Sequence, residues 1–296
     1  MYIKKIAVLG SGTMGHGIAQ VSAFSGFDVS LYDISQEMLE GAVFAIKGNI
    51  ENHFVKRGKI SREEGDRVAD RIKTFTKLED AVEDADFVIE AIPEKLDLKK
   101  SVFSDLDEIC PSHTILATNT SVLPVTAIAG TTGRRDRCIG THFFNPAAVM
   151  KLVEVVSPLG VSEETVSTTL DLCKKMGKVP IKVKDMPGFI VNRLLLLLYQ
   201  EAAQIVLEGT ATVEEIDIAM KLGVGYPMGP CELADFGGFD VIQMAQDAVF
   251  EYTHSERDKL NILYRKMLEA GRLGKKNRKG FYDYLPDGTK EPFKLY

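Results

Sequence analysis

IKKIAVLGSGTMG, at residues 3–15, is a short and largely apolar run that ends at a glycine and leads into a segment able to open a helix. This pattern predicts one β-strand followed by one α-helix. Its last six residues fit G-x-G-x-x-G, in which Gly10 permits a tight turn and Gly15 allows the helix to pack closely on the strand. Gly12 would let a pyrophosphate approach the backbone at the start of the helix, where the N-terminus favours an anion.

A carboxylate follows the second predicted strand. Residues 28–32 repeat the strand pattern and Asp33 comes next, where dinucleotide-binding sheets place an acid on the adenosine ribose. The carboxylate would repel a 2′-phosphate and no arginine follows it in residues 34–36, so NAD is favoured over NADP as the cofactor. The alternative to a cofactor site is a glycine turn, followed by an aspartate at the end of a strand, that binds no ligand. The expected cofactor residues in this part of the chain are Gly10, Gly12, Thr13, Met14, Gly15 and Asp33.

Strand and helix patterns alternate through the first two thirds of the chain. Further strands are predicted at 72–75, 87–92, 114–118, 138–142, 152–156 and 179–183, and the clearest helices between strands at 36–58 and 162–176. Strands that alternate with helices predict a parallel, doubly wound α/β sheet with right-handed crossovers. The fold class is therefore α/β, with a Rossmann-type N-terminal domain.

The pattern changes after Asp185. Pro187 and Gly188 interrupt it, and residues 189–271 have helical spacing, most clearly at 213–222, 240–252 and 256–270. We therefore expect an NAD-binding domain at residues 1–185. An all-α domain that covers substrate and forms a dimer is expected at residues 186–296.

Composition excludes several classes of protein. The chain has 296 residues, 45% of them hydrophobic, and a formal net charge of −6, which disfavours nucleic-acid and anionic-membrane partners. The four cysteines form no C-x-x-C pair, so no metal site is expected. The apolar run before Gly10 is too short for a signal peptide, and the apolar stretch 189–207 contains polar residues that a bilayer would disfavour. A cytoplasmic enzyme is expected.

One histidine and one glutamate form the candidate catalytic pair. His142 ends a predicted strand and Glu154 lies within the next one. If the chain reverses near Ala148, the two strands can pair antiparallel with these residues opposite each other, their Cβ atoms about 5 Å apart. The imidazole could then take a hydroxyl proton as hydride leaves, while the carboxylate fixes its tautomer. A purely structural histidine also fits this spacing.

Seven segments carry a resemblance to a known family: GSGTMGHGIAQ (10–20), VIEAIPE (88–94), ATNTS (117–121), THFFNPAAVMKLVEV (141–155), PGFIVNRLL (187–195), KLGVGYPMGPCEL (221–233) and KGFYDY (279–284). In them the chain resembles the short-chain L-3-hydroxyacyl-CoA dehydrogenases, and among these the bacterial members that act on 3-hydroxybutyryl-CoA. The resemblance implies an NAD-dependent, reversible oxidation of (S)-3-hydroxyacyl-CoA, which gives acetoacetyl-CoA if the substrate is short. It also implies a homodimer formed through the C-terminal domain.

The resemblance implies catalytic roles for four residues. His142 would be the base and Glu154 its orienting partner, while Ser121 and Asn192 would lie around the substrate. Chemically, the last two can hydrogen-bond the 3-oxygen and the thioester carbonyl. From the residues alone, Ser121 could equally be a helix N-cap, and Asn192 a polar residue with its hydrogen bonds satisfied on a buried helix.

Further binding residues are implied by the same resemblance. The cofactor contacts would be Glu94, Lys99, Asn119, Asn145 and Lys276. By residue type alone, Glu94 and Lys99 are equally typical of a solvated helix face, and Lys276 of a basic tail. A basic segment suits the phosphates of coenzyme A, namely Lys47, Lys56, Arg57, Lys59 and Arg62. The resemblance singles out Lys56 as a coenzyme A contact, whereas Asn49 stands where the family has a serine.

Two other functions remain open from the sequence. A β-hydroxyacid dehydrogenase that acts on a free acid shares the glycine motif and a helical second domain, but relies on a catalytic lysine. A non-catalytic NAD-binding protein, such as a lens crystallin related to this family, would have the same fold. The pair His142 and Glu154 favours the acyl-CoA dehydrogenase over both.

Overall fold

The computed structural model describes residues 2–294, so residues 1, 295 and 296 of the predicted domains lie outside it. The chain divides into two compact units between Met186 and Pro187, one residue after the boundary predicted from the sequence. Proline has no N–H to continue a ladder, and Gly188 has a positive φ of 72°. A proline and a glycine with positive φ therefore mark the boundary.

An eight-stranded sheet forms the N-terminal unit. Its strands are Lys5–Leu9 (β1), Asp28–Tyr32 (β2), Ile72–Phe75 (β3), Phe87–Glu90 (β4), Ile115–Thr118 (β5), Cys138–Phe143 (β6), Leu152–Ser157 (β7) and Val179–Lys184 (β8). The spatial order is β3-β2-β1-β4-β5-β6-β7-β8, and every neighbouring pair is parallel except β6 with β7. The order of the first six strands is that of the doubly wound dinucleotide-binding fold, which confirms the predicted class.

Helices connect these strands, except β6 and β7, which a loop joins. They are Thr13–Phe24 (α1), Gln36–Ile50 (α2), Arg62–Asp70 (α3), Leu78–Val82 (α4), Leu96–Ile109 (α5), Val125–Ala129 (α6) and Glu163–Lys175 (α7). The helix predicted at 36–58 is shorter than expected, because α2 ends at Ile50 and a π-helical turn, Glu51–Val55, follows it. Gly58, with a φ of 65°, then ends the helical run.

The central strands of the N-terminal unit are buried on both faces, whereas the edge strands β3 and β8 are only partly buried. β4 and β5 are buried along their whole length. Alternate residues enter two separate apolar clusters, with Ile6 and Val8 in one and Ala7 and Leu9 in the other. A parallel sheet covered by helices on both sides requires this continuous apolar character, which explains why short apolar runs revealed these strands in the sequence.

The C-terminal unit is mainly helical. Its helices are Val191–Leu207 (α8), Val213–Val224 (α9), Pro230–Gly237 (α10), Phe239–Thr253 (α11) and Ile262–Glu269 (α12). Edge-to-face contacts between the rings of Phe239, Tyr264 and Phe281 lie in its core. Within residues 2–294, no helix has the length and hydropathy needed to cross a membrane.

Two details of this unit differ from the sequence prediction. A hairpin of Tyr282–Tyr284 (β9) and Lys290–Pro292 (β10) is added to the helices, and strands of three residues are too short to give a period-2 pattern. The helix predicted at 256–270 begins only at Ile262, because the side chain of Asn261 caps it and a 3-10 turn precedes it.

Candidate active site

The glycine turn joins β1 to α1 and has the geometry that its motif predicts. Gly10 has a φ of 92°, which favours glycine, and a Cβ atom on Gly15 would lie 1.7 Å from the carbonyl oxygen of Gly10. A Cβ atom on Gly12 would meet no atom of the described residues within 4 Å. The first and third glycines are therefore required by packing, whereas the second faces open space.

The N-terminus of α1 lies beside this open space. Gly12 is its N-cap residue, and no described side chain caps the helix or places a negative charge in its first turn. Uncapped backbone N–H groups and the helix dipole favour an anion at this point. The residues present therefore fit the pyrophosphate of NAD.

Asp33 lies at the end of β2, beside the glycine turn. Its Oδ2 accepts hydrogen bonds from the backbone N–H and the hydroxyl of Ser11, both at 2.8 Å, and its Oδ1 accepts one from the N–H of Ser35 at 3.2 Å. These bonds fix the carboxylate at the carboxyl edge of the sheet. This position suits the predicted contact with a ribose hydroxyl.

His142 and Glu154 face each other across the single antiparallel strand pair of the described sheet. The register places His142 opposite Glu154, so the predicted reversal of the chain between them is confirmed. His142 Nδ1 lies 2.7 Å from Glu154 Oε2, and both side chains are buried. A buried carboxylate bonded to one ring nitrogen determines which tautomer the imidazole adopts.

A buried lysine supports the loop between these two strands. Lys178, just before β8, donates hydrogen bonds from Nζ to the carbonyl oxygens of Ala147 and Met150. Burial lowers the pKa of this ammonium group. Sequence reasoning missed Lys178, because a single lysine before a strand gives no sign that its charged end points inward.

Ser121 lies in the loop after β5. Its backbone N–H donates to Glu94 Oε1 at 2.8 Å. The alternative that it caps a helix is wrong, because α6 begins at Val125 with Pro124 as its N-cap residue. Asn119, two residues earlier, accepts the N–H of Phe143 on its Oδ1 at 2.9 Å. The loop after β5 is thereby tied to the strand that carries His142.

Lys99 and Glu94 are not the ordinary surface pair that their residue types suggested. The side chain of Lys99 is 1% exposed, and its Nζ lies 2.6 Å from Glu90 Oε1 and 3.2 Å from Glu94 Oε2. Burial raises the pKa of Glu90, an effect that the charge of Lys99 opposes. Sequence reasoning missed Glu90. The available signal was an acid as the last residue of a wholly buried strand.

The remaining predicted residues lie on other elements of the two units. Asn145 is exposed in the loop after β6, and Lys56 is exposed just after the π-helical turn. In the C-terminal unit, Asn192 lies in the first turn of α8, and Lys276 lies in a 3-10 turn and forms an ion pair with Asp240. Their contacts with cofactor or substrate stay predictions.

The strand order, the glycine turn and the buried His142–Glu154 pair define an NAD-binding oxidoreductase of the Rossmann class. Comparison with known families specifies the class further. The chain belongs to the 3-hydroxyacyl-CoA dehydrogenase family: the model of the NAD binding domain matches residues 5–186, and that of the C-terminal domain matches residues 188–284.

Individual relatives are similar over nearly the whole chain. A probable 3-hydroxybutyryl-CoA dehydrogenase of Bacillus subtilis is 46% identical over 284 residues, which are 96% of this chain and 98% of that protein. The 3-hydroxybutyryl-CoA dehydrogenase of Clostridioides difficile is 42% identical over 95% of this chain and 99% of its own. The crystal structure of (S)-3-hydroxybutyryl-CoA dehydrogenase from Ralstonia eutropha has a TM-score of 0.92 and 38% identity, and the match covers 96% of this chain and 100% of that one.

Proposed function

We propose that the chain catalyses the reversible, NAD-dependent oxidation of an (S)-3-hydroxyacyl-CoA to the 3-oxoacyl-CoA, with 3-hydroxybutyryl-CoA as its substrate. The observation that carries this proposal is the buried hydrogen bond between His142 Nδ1 and Glu154 Oε2 at the end of β6. Family membership and the names of the similar bacterial enzymes support an acyl-CoA substrate with a short chain.

The chemistry divides between the cofactor and the chain. NAD, when bound, supplies the acceptor for the hydride that leaves carbon 3. His142 takes the proton of the 3-hydroxyl group on Nε2, while its Nδ1–H donates to Glu154. Glu154 keeps the imidazole in this tautomer and stabilises the imidazolium that forms, and its burial strengthens this interaction. In the reverse direction the imidazolium returns the proton to the oxygen.

Other residues would bind the substrate. Ser121 and Asn192 would hydrogen-bond the 3-oxygen and the thioester carbonyl, and Lys56 would contact a phosphate of coenzyme A. The same proposal includes a homodimer formed through the C-terminal unit. Exposed apolar side chains on α9, such as Ile218 and Leu222, support this part of it. Four buried free cysteines are compatible with the cytoplasmic location that we propose.

The test is a set of steady-state assays that compare acetoacetyl-CoA with free acetoacetate, and NADH with NADPH. We expect turnover with acetoacetyl-CoA and NADH, and a lower kcat/KM with longer acyl chains. Turnover of free acetoacetate alone would identify a free-acid dehydrogenase instead. NADH binding without turnover of any of these compounds would identify a non-catalytic member of the fold.

A further inference from the structure

A buried lysine lies at the closed end of the antiparallel strand pair formed by β6 and β7. Lys178 directly precedes β8 and is 7% exposed. Its Nζ donates hydrogen bonds to the carbonyl oxygens of Ala147 and Met150, at 2.5 and 2.8 Å. Both acceptors belong to residues 144–151, the loop that joins β6 to β7. One side chain therefore holds this loop at two points.

The ammonium group of Lys178 is buried beside neutral partners. Its hydrogen-bond acceptors among the described residues are two backbone carbonyl oxygens, neither of which carries a net charge. Burial lowers the pKa of the group, and the charge of Lys151 lowers it further. Burying an ammonium group is costly, and a buried carbonyl oxygen without a donor is also unfavourable. The two hydrogen bonds therefore meet a need of the loop that an apolar side chain could not meet.

The backbone of Lys178 is itself fixed. Its N–H donates to the carbonyl oxygen of Cys173, near the end of α7, at 3.0 Å. The N–H of the next residue, Val179, donates to the carbonyl oxygen of Lys151 at 2.8 Å and joins the start of β8 to the end of the loop. The side chain of Lys178 continues this connection farther into the loop, so the loop is tied to β8 and α7.

The loop also lies against α1. Ala147 is buried, and a Cβ atom on Gly17 would lie 3.1 Å from the Cβ atom of Ala147. α1 is the helix that follows the glycine turn. The loop is therefore held by two contacts besides its own strands, one with α1 and one with Lys178.

The loop begins and ends close to the candidate catalytic pair. β6 ends one residue after His142, and β7 begins two residues before Glu154. The register sets these two residues opposite each other, and their side chains are joined by the 2.7 Å contact. A shift of the loop would move the two strand ends relative to each other. It would also move Asn145, which lies in the loop.

From this geometry we infer that Lys178 is a positioning residue, which holds the loop between β6 and β7 and thereby keeps the imidazole of His142 aligned with Glu154. The inference rests on the proposed function for the role of His142 as the base. Lys178 itself would touch neither cofactor nor substrate. A displacement of about 1 Å at a catalytic group can lower turnover by about 100-fold, so a residue at this distance can still determine the rate.

The test is a double-mutant cycle between Lys178→Met and His142→Gln. Lys175→Met is the matched control, because Lys175 is an exposed lysine at the end of α7. Each variant is measured for its thermal midpoint, the Kd of NADH, and kcat and KM with acetoacetyl-CoA. We expect Lys178→Met to lower kcat by about 10- to 100-fold and to change KM and the Kd of NADH much less. Lys175→Met should keep the wild-type kcat.

The cycle separates a positioning role from a structural one. If Lys178 acts through His142, its replacement matters only while the imidazole is present. Lys178→Met should then cause no further loss of kcat in the His142→Gln background. The same fold-loss of kcat in both backgrounds would overturn the inference. So would a kcat of Lys178→Met equal to that of Lys175→Met at a temperature at which both variants are folded.

Lys178→Gln is the second variant, for the case that Lys178→Met does not fold. Glutamine keeps an amide donor, but its side chain is one bond shorter than that of lysine, so the loop has to move to reach it. We expect a lower kcat here as well, with the same dependence on His142. A kcat of Lys178→Gln at the level of the Lys175→Met control contradicts a positioning role.

A spectroscopic measurement separates this inference from the proposed function. If the wild-type chain does not reduce acetoacetyl-CoA, the proposed function fails. The Nδ1–H signal of His142 in NMR spectra of the imidazole nitrogens, assigned by its absence from His142→Gln, would still report on the contact with Glu154. We expect this signal to shift or vanish in Lys178→Met and to stay unchanged in Lys175→Met. An unchanged signal in Lys178→Met would show that the alignment of His142 does not depend on Lys178.

Discussion

At the scale of single residues, the site depends on polar groups that the fold buries in contact with one another. His142 is 4% exposed and Glu154 is not exposed at all, yet their side chains satisfy each other through one short hydrogen bond. An unpaired carboxylate at that depth would be costly. The pair is therefore stable where it lies, and the imidazole keeps a fixed orientation at the end of its strand.

Replacing the imidazole should abolish proton transfer and leave cofactor binding intact. We expect His142→Gln to lower kcat by about 10²- to 10⁴-fold, the usual contribution of a general acid or base, with the Kd of NADH unchanged. Stopped-flow or steady-state reduction of acetoacetyl-CoA, with fluorescence titration of NADH, measures both quantities.

A second histidine provides the control for that experiment. His113 lies just before β5, at the opposite end of the strand from Ser121, and pairs with Asp86 on the exposed side of the protein. His113→Gln should keep wild-type kcat. Equal turnover in His142→Gln and His113→Gln would show that the imidazole of His142 takes no part in the reaction.

At the scale of secondary-structure elements, the three glycines of the turn between β1 and α1 have different roles. Packing requires two of them, and ligand binding requires the third. Gly15 and Gly10 are needed because a Cβ atom would collide with backbone, whereas Gly12 has open space around it and a φ of −62° that alanine also adopts. Only a bound ligand would make the absence of a side chain at Gly12 necessary.

Gly12→Ala should therefore weaken binding without weakening the fold. We expect the thermal midpoint to stay at its wild-type value and the Kd of NADH to rise by about tenfold or more, which corresponds to roughly 1.4 kcal/mol. Gly41→Ala, at an open position within α2, is the control and should stabilise the helix slightly without changing NADH affinity. An unchanged Kd of NADH in Gly12→Ala would show that the pyrophosphate does not bind at this turn.

Most of the strands and helices could be predicted from the sequence, for physical reasons. Two buried faces give the central strands a continuous apolar pattern, and the eleven residues between His142 and Glu154 suffice for a reversal that sets these two residues opposite each other. Residue type gave no such guidance for Lys99, whose burial depends on Glu90 from another element. The short β9–β10 hairpin was missed because three residues per strand leave no period to detect.

At the scale of the whole molecule, each of the two units has its own apolar core, and the C-terminal unit also contains a buried carboxylate. The N-terminal unit has apolar clusters on both sides of its sheet. In the C-terminal unit, the buried carboxylate of Asp235 holds the start of β9. It accepts the backbone N–H groups of Phe281 and Tyr282 at 2.7 and 3.0 Å and the hydroxyl of Tyr284 at 3.1 Å. This unit should therefore respond to pH.

Burial raises the pKa of Asp235 from 3.8 to about 6, although three donors and the charge of Arg272 oppose the shift. The folded chain then binds more protons than the unfolded chain between these two values, so its free energy of unfolding falls as the pH rises from 3.8 to 6. The contribution is at most about 3 kcal/mol. Urea unfolding across this pH range measures it.

Asp235→Asn isolates this effect, because the amide does not titrate. The difference in unfolding free energy between wild type and variant should change with pH between 4 and 6 and become constant above about pH 7. A difference that is the same at every pH would mean that the pKa of Asp235 is the same in the folded and the unfolded chain, so that its donors balance its burial.

The antiparallel pairing of β6 with β7 also affects how refolding can be monitored. Successive residues of a strand point to opposite sides, so a slip of one position would keep the ladder of backbone bonds yet turn the Glu154 carboxylate to the other face. Far-ultraviolet circular dichroism would hardly distinguish the two alignments. Recovered dehydrogenase turnover would do so, which makes the enzymatic assay a direct measure of strand alignment in refolded preparations.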